Sequence, residues 1–286
     1  MIDLHLHSSC SDGVLTPSLL VAEASKAGLS SISISDHDTI AGVEEAIQAG
    51  QRLGVEVIPG VELSVSYRGF NDVHLLGYWI DIHAPELTEQ LDKFAMHRSN
   101  RNGEIVLLVN KLLQDEGKEP LTLEEVTSLA DGVMGRPHIA RALIKRSYAK
   151  TMEDAFTRYL IPSDVPKAYW AMEDALLTVK QVGGVSVLAH PTSITKDQIL
   201  LAELISGLKE SGLDGLEVFN TLATEEEIMF LQKLAYRFSL LPTGGSDFHG
   251  ISPDDRIGKG RGGTKFSDAL LPPLRGLAEQ RNKIKE

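Results

Sequence analysis

An alternation of short apolar runs with segments of helical period constrains this chain more than any other feature. Residues 2–7 read as a strand, 17–27 as a helix opened by Thr16-Pro17 and ended by Gly28, and 31–35 as a second strand. A helix over 41–53, a strand over 55–59 and an extended stretch through Gly60-Val61-Glu62 follow, and a turn at 68–72 leads into a strand over 73–79. After residue 166 the pattern resumes, with helices over 172–182, 196–211 and 224–238 and strands over 185–189, 214–219 and 240–243. A terminal helix over 267–282 closes the chain. Strand and helix at this spacing give a mostly parallel sheet of about seven strands wrapped by helices, an α/β barrel.

Between residues 85 and 166 the alternation stops. Residues 86–116 read as one or two long helices whose Ile105, Val106, Leu108, Val109, Leu112 and Leu113 form a core-facing stripe, and shorter helices fit 122–130, 137–145 and 152–159. The expected organisation is therefore a barrel of residues 1–84 and 167–286 with an all-helical insertion, 85–166, acting as a cap over the substrate. A chain of 286 residues at 42% hydrophobic content is long enough for that arrangement. No run of about 18 apolar residues and no basic segment leading into an apolar one is present, so neither membrane insertion nor export is expected. The cytoplasm is the default, and the single cysteine, Cys10, suits a reducing compartment and reads as a small loop residue. A formal charge of −12 argues against a general grip on duplex nucleic acid; a phosphate-bearing substrate must meet a local positive site.

The chemistry-bearing residues sit at the strand ends. Period two on the first strand puts His5 and His7 on one face, and Asp12 follows in a Ser/Gly-rich turn that can fold back over them. His37 ends the second strand within Asp36-His37-Asp38-Thr39, Glu62 lies in the extended stretch, His190 follows the 185–189 strand, and Asp247 and His249 follow the 240–243 strand. In a parallel barrel the C-terminal strand ends gather in one place, so these residues converge. His74 opens its predicted strand and joins them only if that strand runs antiparallel or enters from the site side. Counting it, six of the nine histidines meet three carboxylates. So many N and O donors exceed one ion with an open position and suit two or three divalent ions sharing a bridging carboxylate, Mn, Fe or Zn fitting better than Mg.

His-x-His with Ser11-Asp12-Gly13, then Ser35-Asp36-His37-Asp38-Thr39, Gly60-Val61-Glu62, Ala189-His190-Pro191 and Ser246-Asp247-Phe248-His249-Gly250, resembles the PHP (polymerase and histidinol phosphatase) family of metal-dependent phosphoesterases. The resemblance implies a distorted (β/α)7, TIM-like barrel with a trinuclear site. His5, His7, Glu62 and Asp247 would hold one ion, with Glu62 bridging to a second held by His74 and His190. Asp12, His37 and His249 would hold the third and stand as the catalytic groups. Asp36 and Asp38 are expected to orient imidazoles. A hydroxide held by the ions would then attack phosphorus in line, so no Ser/His/Asp triad or phosphate-cradling loop is needed.

Selectivity must come from the insertion. His97-Arg98-Ser99-Asn100-Arg101 places two arginines on one helix face, and Gly135-Arg136-Pro137-His138 puts an arginine and a histidine at a helix N-terminus. Within the family these motifs are similar to the subgroup that acts on nucleoside 3′,5′-bisphosphates (for example pAp to AMP and phosphate) and on short 5′-phosphorylated oligoribonucleotides. That similarity implies that Arg98, Arg101, Arg136 and His138 bind substrate. The basic glycine loop over 256–263 reads as flexible and exposed, and His83 as a turn residue. Two rivals stand beside this reading: a histidinol-phosphate phosphatase with the same metal ligands, and a non-catalytic binding or regulatory module of the same fold. An amidohydrolase is a further alternative, but no strand offers the lysine it would use.

Overall fold

The computed structural model describes residues 1–129, 134–252 and 254–285. In chain order the elements are β1 (Ile2–Leu6), α1 (Pro17–Lys26), β2 (Ser31–Ile34), α2 (Val43–Leu53), β3 (Glu56–Tyr67), β4 (Phe70–Tyr78), α3 (Pro85–Asp115), α4 (Leu123–Thr127), α5 (Arg136–Lys145) and α6 (Met152–Ala155). A π-helical turn (Phe156–Leu160), β5 (Trp170–Ala171), α7 (Met172–Gln181), β6 (Val185–Leu188), α8 (Gln198–Glu210), β7 (Gly215–Phe219), α9 (Glu225–Arg237), β8 (Leu241–Gly244) and α10 (Leu271–Lys285) complete it. The helices start where side chains supply the missing acceptors: Thr16 caps α1 ahead of Pro17, Asp197 caps α8, and Thr224 with Glu227 forms a capping box on α9.

The chain divides into two compact units, Met1–Leu91 with Tyr169–Glu286, and Asp92–Ala168. The first is a distorted TIM-like barrel whose strands run β1-β2-β3-β4-β6-β7-β8, with β5 paired to β3. Neighbours are parallel except β4, which is antiparallel to both β3 and β6. The sheet is drawn closed where the segment after β8 meets β1: Asp247 N–H donates to His5 O and His7 N–H donates to Phe248 O, both at 2.9 Å. Gly245 permits that approach, since a Cβ there would lie 2.3 Å from His5 Cβ. β1, β2 and β6 are buried throughout, as strands covered on both faces must be. One apolar cluster joins Ile2, Leu4, Ile58, Tyr78, Val187 and Phe266 to Leu274 of α10, and another packs Leu6, Ile32 and Ile34 under Leu20, Val21 and Ala46 of α1 and α2. In the second unit Ile105, Val106, Val109 and Leu113 of α3 are buried against Ile139, Leu143, Tyr159 and Leu160, with Leu112 partly buried beside them.

Several boundaries differ from expectation. The strand over 55–59 and the extended stretch behind it are one strand, β3, of 12 residues, and β4 begins at Phe70 rather than Val73. β5 has only two residues, too few for a periodic signal. The loop over 256–263 is fastened rather than loose: Gly258 N–H donates to the buried Asp3 at 2.7 Å and Arg261 to Leu222 O at 3.2 Å. The last residue of the helix expected over 122–130 lies outside the described residues.

Candidate metal centre

Glu62 is the hub. It sits fully buried on β3, and five imidazoles surround its carboxylate. Oε1 lies 3.2 Å from His5 Nε2, 3.1 Å from His74 Nδ1 and 3.2 Å from His190 Nε2; Oε2 lies 3.3 Å from His7 Nε2 and 3.0 Å from His37 Nδ1. Asp247 Oδ1 adds contacts of 3.4 Å to His5 and 3.1 Å to His7. Asp12 lies 3.3 Å from His249, 3.6 Å from His7 and 3.7 Å from His37. The structure thus brings together all nine residues that the sequence singles out. His74 joins them because β4 is antiparallel, which sets it opposite Ser64 on β3, two residues from Glu62. His83 stands apart and exposed, 3.5 Å from Glu44.

Ligand atoms come within 4.8 Å of one another in four overlapping groups: His7, Asp12, His37 and His249; His5, His7 and Asp247; His5, Glu62 and His190; and His37, Glu62 and His74. These do not follow the expected three-ion partition one for one, since His190 groups with His5 and His74 with His37. The donor set is imidazole and carboxylate, suited to divalent transition ions. His5 Nε2, both ring nitrogens of His7, His37 Nδ1, Glu62 Oε2 and His74 Nε2 are buried without a hydrogen-bond partner among the described residues. So many orphaned polar atoms in one place would be costly in a protein interior, and cations among them would satisfy these atoms together. The residues therefore fit a multinuclear metal site.

The charges support the same reading. Burial opposes a charge on His5, yet Glu62, Glu217 and Asp247 outweigh it and hold the imidazole well above its ordinary pKa. His7 rises to about 9 against burial through Asp247 and Glu62, and His74 to about 10 through Glu62 and Asp72. His37, where burial prevails, falls to about 3. Glu62, Asp12 and Asp247 are all held below the usual carboxylate range by neighbouring histidines, although burial pushes the other way.

Other carboxylates, two of them not anticipated, hold the frame. Glu217, fully buried on β7, takes His5 Nδ1 at 2.9 Å and the His190 backbone N–H at 2.7 Å. Asp3 accepts from Ser246 N and Oγ, Gly258 N and His5 N; burial raises its pKa to about 6 in spite of those bonds. Each sits inside an apolar run, Leu216-Glu217-Val218 and Ile2-Asp3-Leu4, and a carboxylate within a buried strand was the signal available. Asp36, expected to orient an imidazole, instead holds Ser8 N, Ser8 Oγ and Ser11 Oγ at 2.6 to 2.7 Å, fixing the loop that carries Asp12. Asp38 accepts from Ser64 N and Oγ, both at 2.8 Å. His190 and Asp247 occupy positive φ, +26° and +55°, a strain of about 1–3 kcal/mol each that the surrounding bonds must hold in place.

In the helical unit, Arg101 donates from Nε to Val165 O at 2.6 Å and from a terminal nitrogen to Asp164 Oδ1 at 3.2 Å. Arg136 reaches the same Asp164 oxygen at 2.9 Å, so two guanidinium groups converge on one anionic atom. His138 Nδ1 accepts the Gly135 N–H at 3.0 Å, closing the first turn of α5, and Arg98 is half-buried on α3.

Known proteins give the arrangement its context. The family model described as "PHP domain" matches residues 3–161. A "5′-3′ exoribonuclease" of Haemophilus influenzae is 36% identical over 250 residues, 86% of this chain and 89% of its own. A "3′,5′-nucleoside bisphosphate phosphatase" of Chromobacterium violaceum is 31% identical over 260 residues, 87% of each. A Bifidobacterium adolescentis structure assigned as a metal-dependent phosphoesterase superposes with a TM-score of 0.81 at 29% identity, covering 96% of both chains. With the match extending over more than half its length and the nine ligand-type side chains gathered in one cluster, the chain belongs to the PHP domain family of metal-dependent phosphoesterases.

Proposed function

We propose that this phosphoesterase removes the 3′-phosphate of nucleoside 3′,5′-bisphosphates, turning adenosine 3′,5′-bisphosphate into AMP and phosphate, and that it also acts on short 5′-phosphorylated oligoribonucleotides. The observation that carries this reading is the pair Arg101 and Arg136 meeting on Asp164 Oδ1. A carboxylate oxygen held by two guanidinium groups marks a place where a phosphate oxygen fits, and a bisphosphate has a second phosphate to put there. Arg98 and His138 complete the substrate-binding set. The two relatives quoted above, acting on RNA and on nucleoside bisphosphates by their names, support the substrate class.

Two to three divalent ions, with Mn the best fit, would supply positive charge against the phosphate and acidify water at neutral pH. His5, His7, Glu62, His74, His190 and Asp247 would hold them, with Asp12, His37 and His249 as further ligands. Asp12, at 52% the most exposed of the nine, would stand toward the scissile phosphate with His37 and His249 beside it. His249 would hand a proton to the departing alcohol, and Asp12, 3.3 Å away and held below the usual carboxylate range, would orient that imidazole. The expected setting is the cytoplasm, which suits the free Cys10.

Phosphate release from adenosine 3′,5′-bisphosphate, AMP, histidinol phosphate and p-nitrophenyl phosphate tests this. Arg136→Ala is the informative variant, because Arg101 also ties α3 to Val165. A charge-assisted bond worth about 1.5–3 kcal/mol predicts a loss in kcat/KM of about one to two orders of magnitude for the bisphosphate and almost none for the monophosphates. Equal losses on all four substrates, or a preference for histidinol phosphate, would overturn the reading.

A further inference from the structure

Every strand on the barrel path except β7 delivers a side chain to the cluster. β1 brings His5 and His7, β2 leads to His37, β3 carries Glu62, β4 His74, β6 leads to His190, and β8 to Asp247 and His249. What β7 brings to the same place is Glu217, and its two oxygens are divided: one faces His5 Nδ1 at 2.9 Å, the other takes the His190 main-chain N–H at 2.7 Å. His5 and His190 are the two imidazoles of a single candidate group, completed by Glu62. We propose that Glu217 is the positioning residue of that metal position, setting the tautomer of His5 and the backbone of His190 at once. The inference rests on the cluster holding divalent ions and goes beyond that reading by assigning a non-ligand residue to one of them.

An ionised carboxylate only accepts, so His5 Nδ1 must carry the proton that faces Glu217. With an ion bound the neutral ring would be protonated at Nδ1, its Nε2 lone pair turned toward Glu62 Oε1, 3.2 Å away, and Asp247 Oδ1, 3.4 Å away. A lone pair facing two carboxylate oxygens repels them unless a proton or a metal ion lies between, and Nε2 has no hydrogen-bond partner among the described residues. His190 needs fixing for a different reason. Its φ of +26° is outside the range an L-residue prefers, and the bond from its N–H to Glu217 Oε2 holds that turn at the end of β6. His190 Nδ1 is separately matched with Ser193 Oγ at 2.8 Å, leaving Nε2 to face Glu62.

The substitution that isolates this role is Glu217→Gln, nearly the same shape with one acceptor and one donor. The His190 N–H demands an acceptor, so the amide oxygen turns to it and the NH2 group faces His5 Nδ1. That nitrogen must now accept, the ring proton moves to Nε2, and the lone pair aimed at the cluster is lost. Zinc-loaded protein, dialysed and assayed by elemental analysis, should lose about one ion per chain relative to wild type, or bind that ion about 10–100-fold more weakly, the usual scale for removing a group that orients a ligand. The 15N–1H spectrum of the histidine rings supplies a readout that a merely structural role would not move: wild-type zinc-loaded protein should show His5 protonated at Nδ1.

Glu217→Gln that keeps every ion at wild-type affinity, or wild-type protein in which His5 carries its proton at Nε2, overturns the proposal while leaving the metal site itself intact. Wild-type protein that binds no divalent ion overturns the metal reading and the proposal together. Should the variant fail to fold, the wild-type spectrum alone decides.

Discussion

At the scale of single residues, one carboxylate carries most of the centre. Glu62 contacts five imidazoles, and no other carboxylate in the cluster touches more than three. Glu62→Gln keeps the volume and removes the negative charge that would be shared between ions, so metal content should drop by at least one ion per chain and phosphate release by about a hundredfold or more. Elemental analysis and a turnover assay on the same sample check this; full metal content with full activity would contradict it. Residues of this kind were legible because His5, His7, His37, His190, Asp247 and His249 each stand at or just beyond the end of a strand whose apolar run marks it. Glu217 and Asp3 were less legible, because what distinguishes them is which partner they face across the barrel, and sequence spacing does not encode that.

At the scale of elements, a local signal at the β3–β4 connection would have settled the direction of β4. Arg68 and Gly69 both take positive φ, +47° and +85°, and form a two-residue hairpin connection. So short a link joins only antiparallel strands, and that alone brings His74 into the cluster. Reading the turn as longer hid this. The end of α3 offers a separate test. Glu116, just beyond Asp115, receives hydrogen bonds from Lys118, from Tyr159 Oη at 2.7 Å and from Arg158 at 3.2 Å, pinning the helix end to the π-helical turn. Lys118 first and Tyr159 second push its pKa down to about 2. A folded pKa below the unfolded value means the contribution is present above about pH 4.5 and is lost as the pH falls toward 2. The group is partly exposed, so the effect is small: Glu116→Gln should cost under about 1 kcal/mol at neutral pH and converge with wild type near pH 2. Thermal midpoints across that range check it, and a constant gap at all pH values would contradict it.

At the scale of the whole molecule, the alternation of strand and helix was enough to predict an α/β barrel, and its interruption marked the helical segment. The structure separates Asp92–Ala168 as a compact unit of its own. No helix of the described residues is long and apolar enough to cross a membrane. A net charge of −12 repels a phosphate ester on average, so attraction must come from local cations and from ions that the cluster would hold. The direct measurement is a titration of metal-stripped protein with Mn2+ while phosphate release from adenosine 3′,5′-bisphosphate is followed. Activity should be absent at the start, rise with added ion and level off at about two to three equivalents per chain, the number that shared carboxylates and so many donors suit. Full activity in protein shown by elemental analysis to be free of metal would contradict the central claim.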